Sequence, residues 1–147
     1  MFANIILAVS NFTCLSPLIF SFKNKDFITF GCILFVSLAS FSSHLIENHK
    51  HGMEGIGFSK RTSYVLNRLD VFGCLITTSR FLYLYIMKHG ITFDKRLLIY
   101  LFPLILLRIS EYDKYNVQLK NRYVVCHTLW HFSVFVCMKD FLQTLIY

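Results

Sequence analysis

Five apolar runs separated by polar turns organise the chain, at residues 2–21 and at about 27–45, 67–87, 97–109 and 123–135. A helix of about 20 residues, rising about 1.5 Å per residue, crosses a hydrocarbon core of about 30 Å. The pattern therefore predicts five membrane-spanning helices, each running opposite to the one before. The fourth run is short for a bilayer, and Pro103 in its middle predicts a kink.

The composition of the 147-residue chain agrees with this pattern, because 55% of its residues are hydrophobic and 17% are aromatic. A small soluble core could not bury that much apolar surface. The period-two alternation of a β-barrel is absent, and two prolines and six glycines are few for a turn-rich fold. We predict an all-α fold, a polytopic membrane helix bundle of about five transmembrane helices, in which residues 1–147 form a single integral membrane domain.

The formal charge of +7 at pH 7 raises the question of nucleic-acid binding. Lysine and arginine lie in short clusters between the apolar runs, however, and not along one amphipathic face. Lipid headgroups are therefore the expected partners of these charges, and nucleic acid is not. Basic residues divide almost evenly between the two faces of the predicted bundle, so both membrane orientations stay open.

The five cysteines predict no disulfide framework, because their number is odd, they all lie in apolar runs and none forms a Cys-x-x-Cys pair. We expect buried free thiols. The residues are Cys14, Cys32, Cys74, Cys126 and Cys137.

His127 and His131 stand out in the last apolar run, since they lie four residues apart and share one helix face. At that spacing their Cβ atoms are about 5–6 Å apart, which suits two imidazoles that bind one metal ion. Ionisable side chains inside a membrane span are costly and need a reason to be there. Two core histidines, each hydrogen-bonded to a hydroxyl or carbonyl group, are an equally good interpretation of this pair alone.

Other polar residues lie near the ends of the second and third runs. Ser40 and His44 are again one helical turn apart. Asp70, just inside the third run, is either a helix N-cap or first-turn charge or a functional carboxylate in a cavity. Arg80 lies deeper in that run, and we expect its side chain to snorkel to the membrane surface.

The longest polar stretch, residues 46–66, is expected outside the membrane as a flexible connection or lid. Glu47, His49 and His51 are residue types that bind metals. In a solvated loop, however, such residues are mostly exposed and without a ligand, and we expect that here.

The predicted topology joins these residues into one site, because five alternating helices bring the end of the second, the start of the third and the start of the fifth to one membrane face. Three imidazoles with an open fourth position are the ligand set of a catalytic zinc ion, and we predict His44, His127 and His131 as ligands of Zn2+. Asp70 would act as general base for an activated water, and Ser40 would donate a hydrogen bond to the water or to a developing oxyanion. The expected substrate is the amide or ester group of a membrane lipid.

The order of these motifs resembles the signature of the CREST superfamily of membrane hydrolases. That superfamily includes the alkaline ceramidases, the adiponectin and progestin receptor family and proteins that act on GPI-anchor lipids. The matching motifs are Ser40/His44, Leu69-Asp70-Val71-Phe72-Gly73 and Cys126-His127-Thr128-Leu129-Trp130-His131. The resemblance implies the same zinc ligands and a ceramidase-like hydrolase of lipids, in a reduced version of a seven-helix fold.

Two functions of other classes stay open. A membrane receptor or interaction protein that retains zinc as a structural element would bind the metal without turnover. A small structural membrane protein whose polar residues hold its helices together would bind no metal and would tolerate His44→Ala.

Overall fold

Five helices in the computed structural model, which describes residues 1–147, correspond to the five apolar runs, and no residue forms a β-strand. The all-α class and the predicted number of helices are confirmed. The helices are α1 (Phe2–Lys23), α2 (Phe27–Ile46), α3 (Lys60–His89), α4 (Phe102–Ser110) and α5 (Lys120–Phe141). A π-helical turn, Leu142–Ile146, continues α5.

Three of these helices, α1, α2 and α3, are long and apolar enough to cross a membrane. The α-helical part of α4 has nine residues, and α5 begins with the polar sequence Lys-Asn-Arg. Large apolar side chains on the outer surface, such as Phe2 (77% exposed) and Leu75 (63% exposed), are compatible with a lipid environment. Five crossings therefore remain an expectation, whereas three helices meet the requirements of length and composition.

Two helices differ from their predicted form. The third starts at Lys60, not Asn67, because the side chain of Ser59 caps it by accepting a hydrogen bond from the backbone of Thr62 at 3.1 Å. Pro103 does not kink the fourth helix. It lies in the first turn of α4, directly after the 3₁₀ segment Lys95–Leu101, where the missing N–H of proline leaves no hydrogen bond unmade.

A 3₁₀ turn interrupts α1 at Asn11–Cys14. Pro17 lacks the N–H that would bond to the carbonyl of Thr13, which explains why the regular helix is broken at this point. The thiols of the chain are all free, as predicted, although only Cys14 is buried.

Gly73 allows α3 to approach α2 closely. A Cβ atom at this position would lie 3.0 Å from the Cα of Val36, which is tighter than ordinary side-chain contacts. The close packing brings Asp70, one turn earlier on α3, to the level of the last turns of α2. By contrast, a groove separates α3 from α4 and α5.

Arg80 crosses back from α3 to the turn before α2, where it pairs with Asp26 at 2.9 Å. Its Nε also donates to the hydroxyl of Thr29 at 3.0 Å, and Tyr147 donates to the same Asp26 carboxylate at 2.9 Å. The side chain reaches the end of the bundle, as expected for snorkelling, and finds an ion pair there.

Candidate metal centre

Three imidazole rings meet at one end of the bundle. His44 lies in the last turn of α2, and His127 and His131 lie on one face of α5. The rings are mutually edge-on, with centroids 4.7, 4.9 and 5.1 Å apart, and one ring nitrogen from each lies within 4.8 Å of the others. Each histidine is at most 3% exposed, so the predicted convergence of the three histidines is confirmed.

Two serines from other helices fix the tautomers of the α5 histidines. Ser10 of α1 donates its only hydrogen to the carbonyl three residues earlier, so it accepts the hydrogen of His131 Nδ1 at 2.6 Å. Ser110 of α4 donates in the same way and accepts from His127 Nδ1 at 3.1 Å. With the proton on Nδ1, the Nε2 atom of each ring keeps its lone pair.

The carboxylate of Glu47 fixes the position of the Nδ1 hydrogen of the third ring, His44. His44 Nδ1 donates to Glu47 Oε2 at 3.2 Å, and the hydroxyl of Tyr123 donates to the same oxygen at 2.6 Å. Glu47 is fully buried. Burial by itself raises its pKa, but the charge of Lys50 and the hydrogen bonds of His44 and Tyr123 lower that pKa to about 2. The carboxylate is therefore ionised and holds a proton of His44 on Nδ1, which leaves Nε2 as the ligand atom of the neutral ring.

The Nε2 atoms of His44 and His127 lie 3.1 Å apart, with both lone pairs facing the same space. When both rings are neutral and carry their proton on Nδ1, no hydrogen bridges the pair, and the two lone pairs repel each other. A cation between them removes that repulsion. Two ligands of a tetrahedral zinc ion, each about 2.0–2.1 Å from the metal, are about 3.3 Å apart, so the spacing of this pair fits such an ion, and all three histidines offer ring nitrogens within 4.8 Å of one another.

Ser40 and Asp70 lie beside the three rings, as predicted. Ser40 Oγ is 3.3 Å from His131 Nε2, and both residues are buried. Asp70 is in the third turn of α3, which excludes the N-cap and first-turn interpretations and leaves a carboxylate in a cavity. Its Oδ1 atom is buried without a hydrogen-bond partner in the protein, so it is available to a ligand or a water.

A cavity of about 400 Å³ connects these groups, and all five predicted site residues line it. Lys50 and Glu111 lie at its polar end, and its walls continue along α3 to Thr78 and along α5 to Met138. Eleven residues at 1.5 Å each separate His127 from Met138, so the cavity as a whole extends roughly 16 Å along the helix. A second cavity of about 420 Å³ shares part of this wall, and 11 of its 13 lining residues are hydrophobic.

The first residues after α2 are packed against the site, so the expectation that Glu47 and His51 are solvated is wrong, whereas residues 56–62 are exposed as expected. Glu47 and His51 are fully buried, and His51 stacks on the ring of Tyr123 with centroids 4.5 Å apart. The side-chain amide of Asn4 donates to the backbone carbonyls of His44 and Glu47, both at 2.8 Å. These partners come from α1 and α5, which the local polar character of the segment does not reveal.

Glu47, His49 and His51 do not belong to the group of side chains that could hold a metal ion, which contains only the three predicted histidines. Glu47 instead positions one of them. Three residues that the sequence did not single out as partners of the histidines hold the outer ring nitrogens: Glu47, Ser10 and Ser110. Only Glu47 had a local signal, since it follows His44 by three residues, whereas each serine meets its histidine only through the fold.

No family model matches the chain, and no solved structure matches it. The sequence is 54% identical over 150 aligned positions to uncharacterized protein L282 of Acanthamoeba polyphaga mimivirus, covering 98% of this chain and 99% of the viral protein. Identity at this level over nearly the whole of both sequences shows common descent, and the chain therefore belongs to the family of the mimivirus protein L282.

Proposed function

We propose that the chain is a zinc-dependent integral-membrane hydrolase that cleaves an amide or ester bond in a lipid. The observation that carries this proposal is the convergence of three imidazole lone pairs at the polar end of a cavity whose other end is apolar. The resemblance of the motifs to the CREST superfamily supports the same function.

The ligand set supports a catalytic metal more than a structural one. Structural zinc sites are usually closed by four protein ligands, often thiolates, whereas here three histidines face a cavity. When bound, zinc would polarise the substrate carbonyl and lower the pKa of a coordinated water to about 7. His44, His127 and His131 would hold the ion, each oriented by its Nδ1 hydrogen bond.

Asp70 and Ser40 would carry out the proton and hydrogen-bond steps. Asp70, whose Oδ1 has no partner in the protein, would accept a proton from the attacking water and pass it to the leaving nitrogen or oxygen. The hydroxyl of Ser40, beside His131, would donate a hydrogen bond to the oxyanion that develops on the carbonyl.

The apolar part of the cavity supports a lipid as the substrate. Leu75, Leu104, Val134 and Met138 continue its wall away from the histidines, and this wall adjoins the second, mostly hydrophobic cavity. A hydrocarbon chain would lie there while its amide or ester carbonyl reaches the metal. Three helices suited to a bilayer would hold the site at the depth of such a bond.

The first experiment measures zinc by mass spectrometry in detergent-purified wild type and in the double variant His127→Ala/His131→Ala. We expect about one zinc per wild-type chain and none in the double variant. His89→Ala is the control, because this histidine binds the carbonyl of Leu145 and lies outside the cluster. If wild type that has been purified without a chelator contains no metal, the proposal is contradicted.

The second experiment separates catalysis from a structural role of zinc. Zinc-loaded wild type is screened for hydrolysis of ceramides, phospholipids and GPI lipids, and Asp70→Asn is compared on any substrate found. We expect the variant to keep its zinc and to lose about 10²–10⁴-fold in turnover. Zinc binding with no hydrolysis in wild type would favour the receptor with a structural zinc site.

A further inference from the structure

We propose that the ion-pair network of Glu47, Lys50 and Glu111, whose first two members are buried and whose third is partly exposed, is a positioning device for the metal ligands. In this network Glu47 orients His44, and Lys50 fixes Glu47 by bridging it to Glu111 at the end of α4. The inference rests on the proposed metal site, and it assigns to the segment after α2 a role in metal affinity and not only in closing the bundle.

Glu47 contacts a ligand histidine directly. Its Oε2 accepts from His44 Nδ1 at 3.2 Å and from Tyr123 at 2.6 Å, while its Oε1 lies 3.1 Å from the ammonium of Lys50. A carboxylate behind a metal-bound imidazole fixes the ring orientation and makes its free nitrogen a better ligand. The carboxylate can do this only if its own position is fixed, and α2 ends at Ile46, one residue earlier.

Lys50 provides that fixation. Its ammonium is also 2.7 Å from Glu111 Oε1, and the same oxygen lies 3.8 Å from His127 Nδ1. One ammonium group therefore lies between two carboxylates, each of which faces the outer nitrogen of a different ligand histidine. Because the side chain of Lys50 is 4% exposed, little solvent competes with these contacts.

The charges explain why a lysine is placed here. Two carboxylates in one low-dielectric region repel each other, and loss of one partner of a buried ion pair is strongly destabilising. Without Lys50, the carboxylates of Glu47 and Glu111 would move apart, and this movement would release His44 from its orientation.

The test uses Co2+ as a spectroscopic probe, titrated into metal-free, detergent-purified full-length chain, with zinc affinity measured by competition. We expect Glu47→Gln and Lys50→Met each to weaken binding about 10–100-fold and to change the visible absorption of bound Co2+. Lys50→Arg, which keeps the charge, should restore most of the affinity. Tyr123→Phe removes only the hydroxyl bond to Glu47 and should weaken binding less.

Lys120→Met is the matched control. Lys120 holds the same segment through the carbonyl of Gly52 and the carboxylate of Glu54 but contacts no ligand histidine. We expect its Co2+ spectrum and affinity to match those of wild type. An effect equal to that of Lys50→Met would overturn the role of Lys50, because general loosening of the segment would then explain both.

The outcomes separate the two proposals. If wild type binds neither Co2+ nor zinc, the proposed metal site fails. If wild type binds metal and Glu47→Gln leaves both affinity and spectrum unchanged, the positioning role fails while the metal site stands. Should Glu47→Gln not fold, Tyr123→Phe decides, since an unchanged spectrum and affinity in that variant would overturn the role of the Glu47 contact.

Discussion

Two buried polar networks lie at opposite ends of this bundle, and they differ in what they leave unpaired. Around Arg80, the guanidinium, the Asp26 carboxylate and the hydroxyl groups of Thr29 and Tyr147 bind one another. Around the histidines, every Nδ1 hydrogen has an acceptor, but the Nε2 atoms of His44 and His127 face each other and Asp70 Oδ1 has no partner, and all three residues line one cavity.

The Arg80 network holds helices together, whereas the histidine cluster could also bind a metal ion. Unpaired buried polar groups are costly, so a network that serves only the fold pairs all its atoms, as the Arg80 network does. The histidine cluster instead uses hydrogen bonds from α1, α4 and the segment after α2 to keep its outer nitrogens in place. The unpaired atoms all face one side, which is the arrangement that a metal site requires.

The largest expected effect is the response of stability to zinc. A ligand that binds only the folded state at a thousand times its Kd stabilises that state by about 4 kcal/mol. We expect zinc to raise the unfolding temperature of wild type and to leave His44→Ala unchanged, since this variant loses one of three ligands. An equal zinc-dependent rise in both proteins, measured by differential scanning fluorimetry in detergent, would place the metal elsewhere.

Arg80→Met, in contrast to His44→Ala, should lower the stability of the metal-free protein without affecting zinc binding. It leaves Asp26 buried without its cation, which costs on the order of 3 kcal/mol in the free energy of unfolding, and the zinc content should not change. Arg96→Met is the matched control, because the Arg96–Asp94 pair lies at the surface and is screened by solvent, so its loss should change the free energy of unfolding little. Loss of zinc in Arg80→Met would show that the two networks are not independent.

Ser110→Ala is expected to have the smallest effect. The variant removes the acceptor for His127 Nδ1, so the tautomer is no longer fixed by the serine, and zinc affinity should fall about 10-fold. Glu111, 3.8 Å from the same nitrogen, can partly replace the hydroxyl, which keeps the loss small. Ser37→Ala, which removes only a bond to the carbonyl of Ile33, should leave zinc affinity unchanged in the same competition assay.

The sequence was least informative where helix ends and loops were concerned. Residues 60–66 are polar, so the hydropathy pattern assigned them to a loop, yet they form the first turns of α3. Hydropathy marks where a lipid-facing surface begins, whereas a helix begins where a cap such as Ser59 satisfies its first N–H groups. The burial of His51 was missed for a related reason, since its stacking partner Tyr123 is distant in the chain.

The sequence by itself determined the all-α class, the number of helices and the convergence of His44, His127 and His131. Apolar runs of helix length and an i, i+4 histidine pair are local patterns, and the alternating direction of successive helices then places their ends together. Only the tertiary structure decided which nitrogen of His127 and His131 faces inward, because their acceptors, Ser110 and Ser10, come from other helices. Such hydrogen bonds depend on distances between helices, and no local pattern of residues fixes those distances.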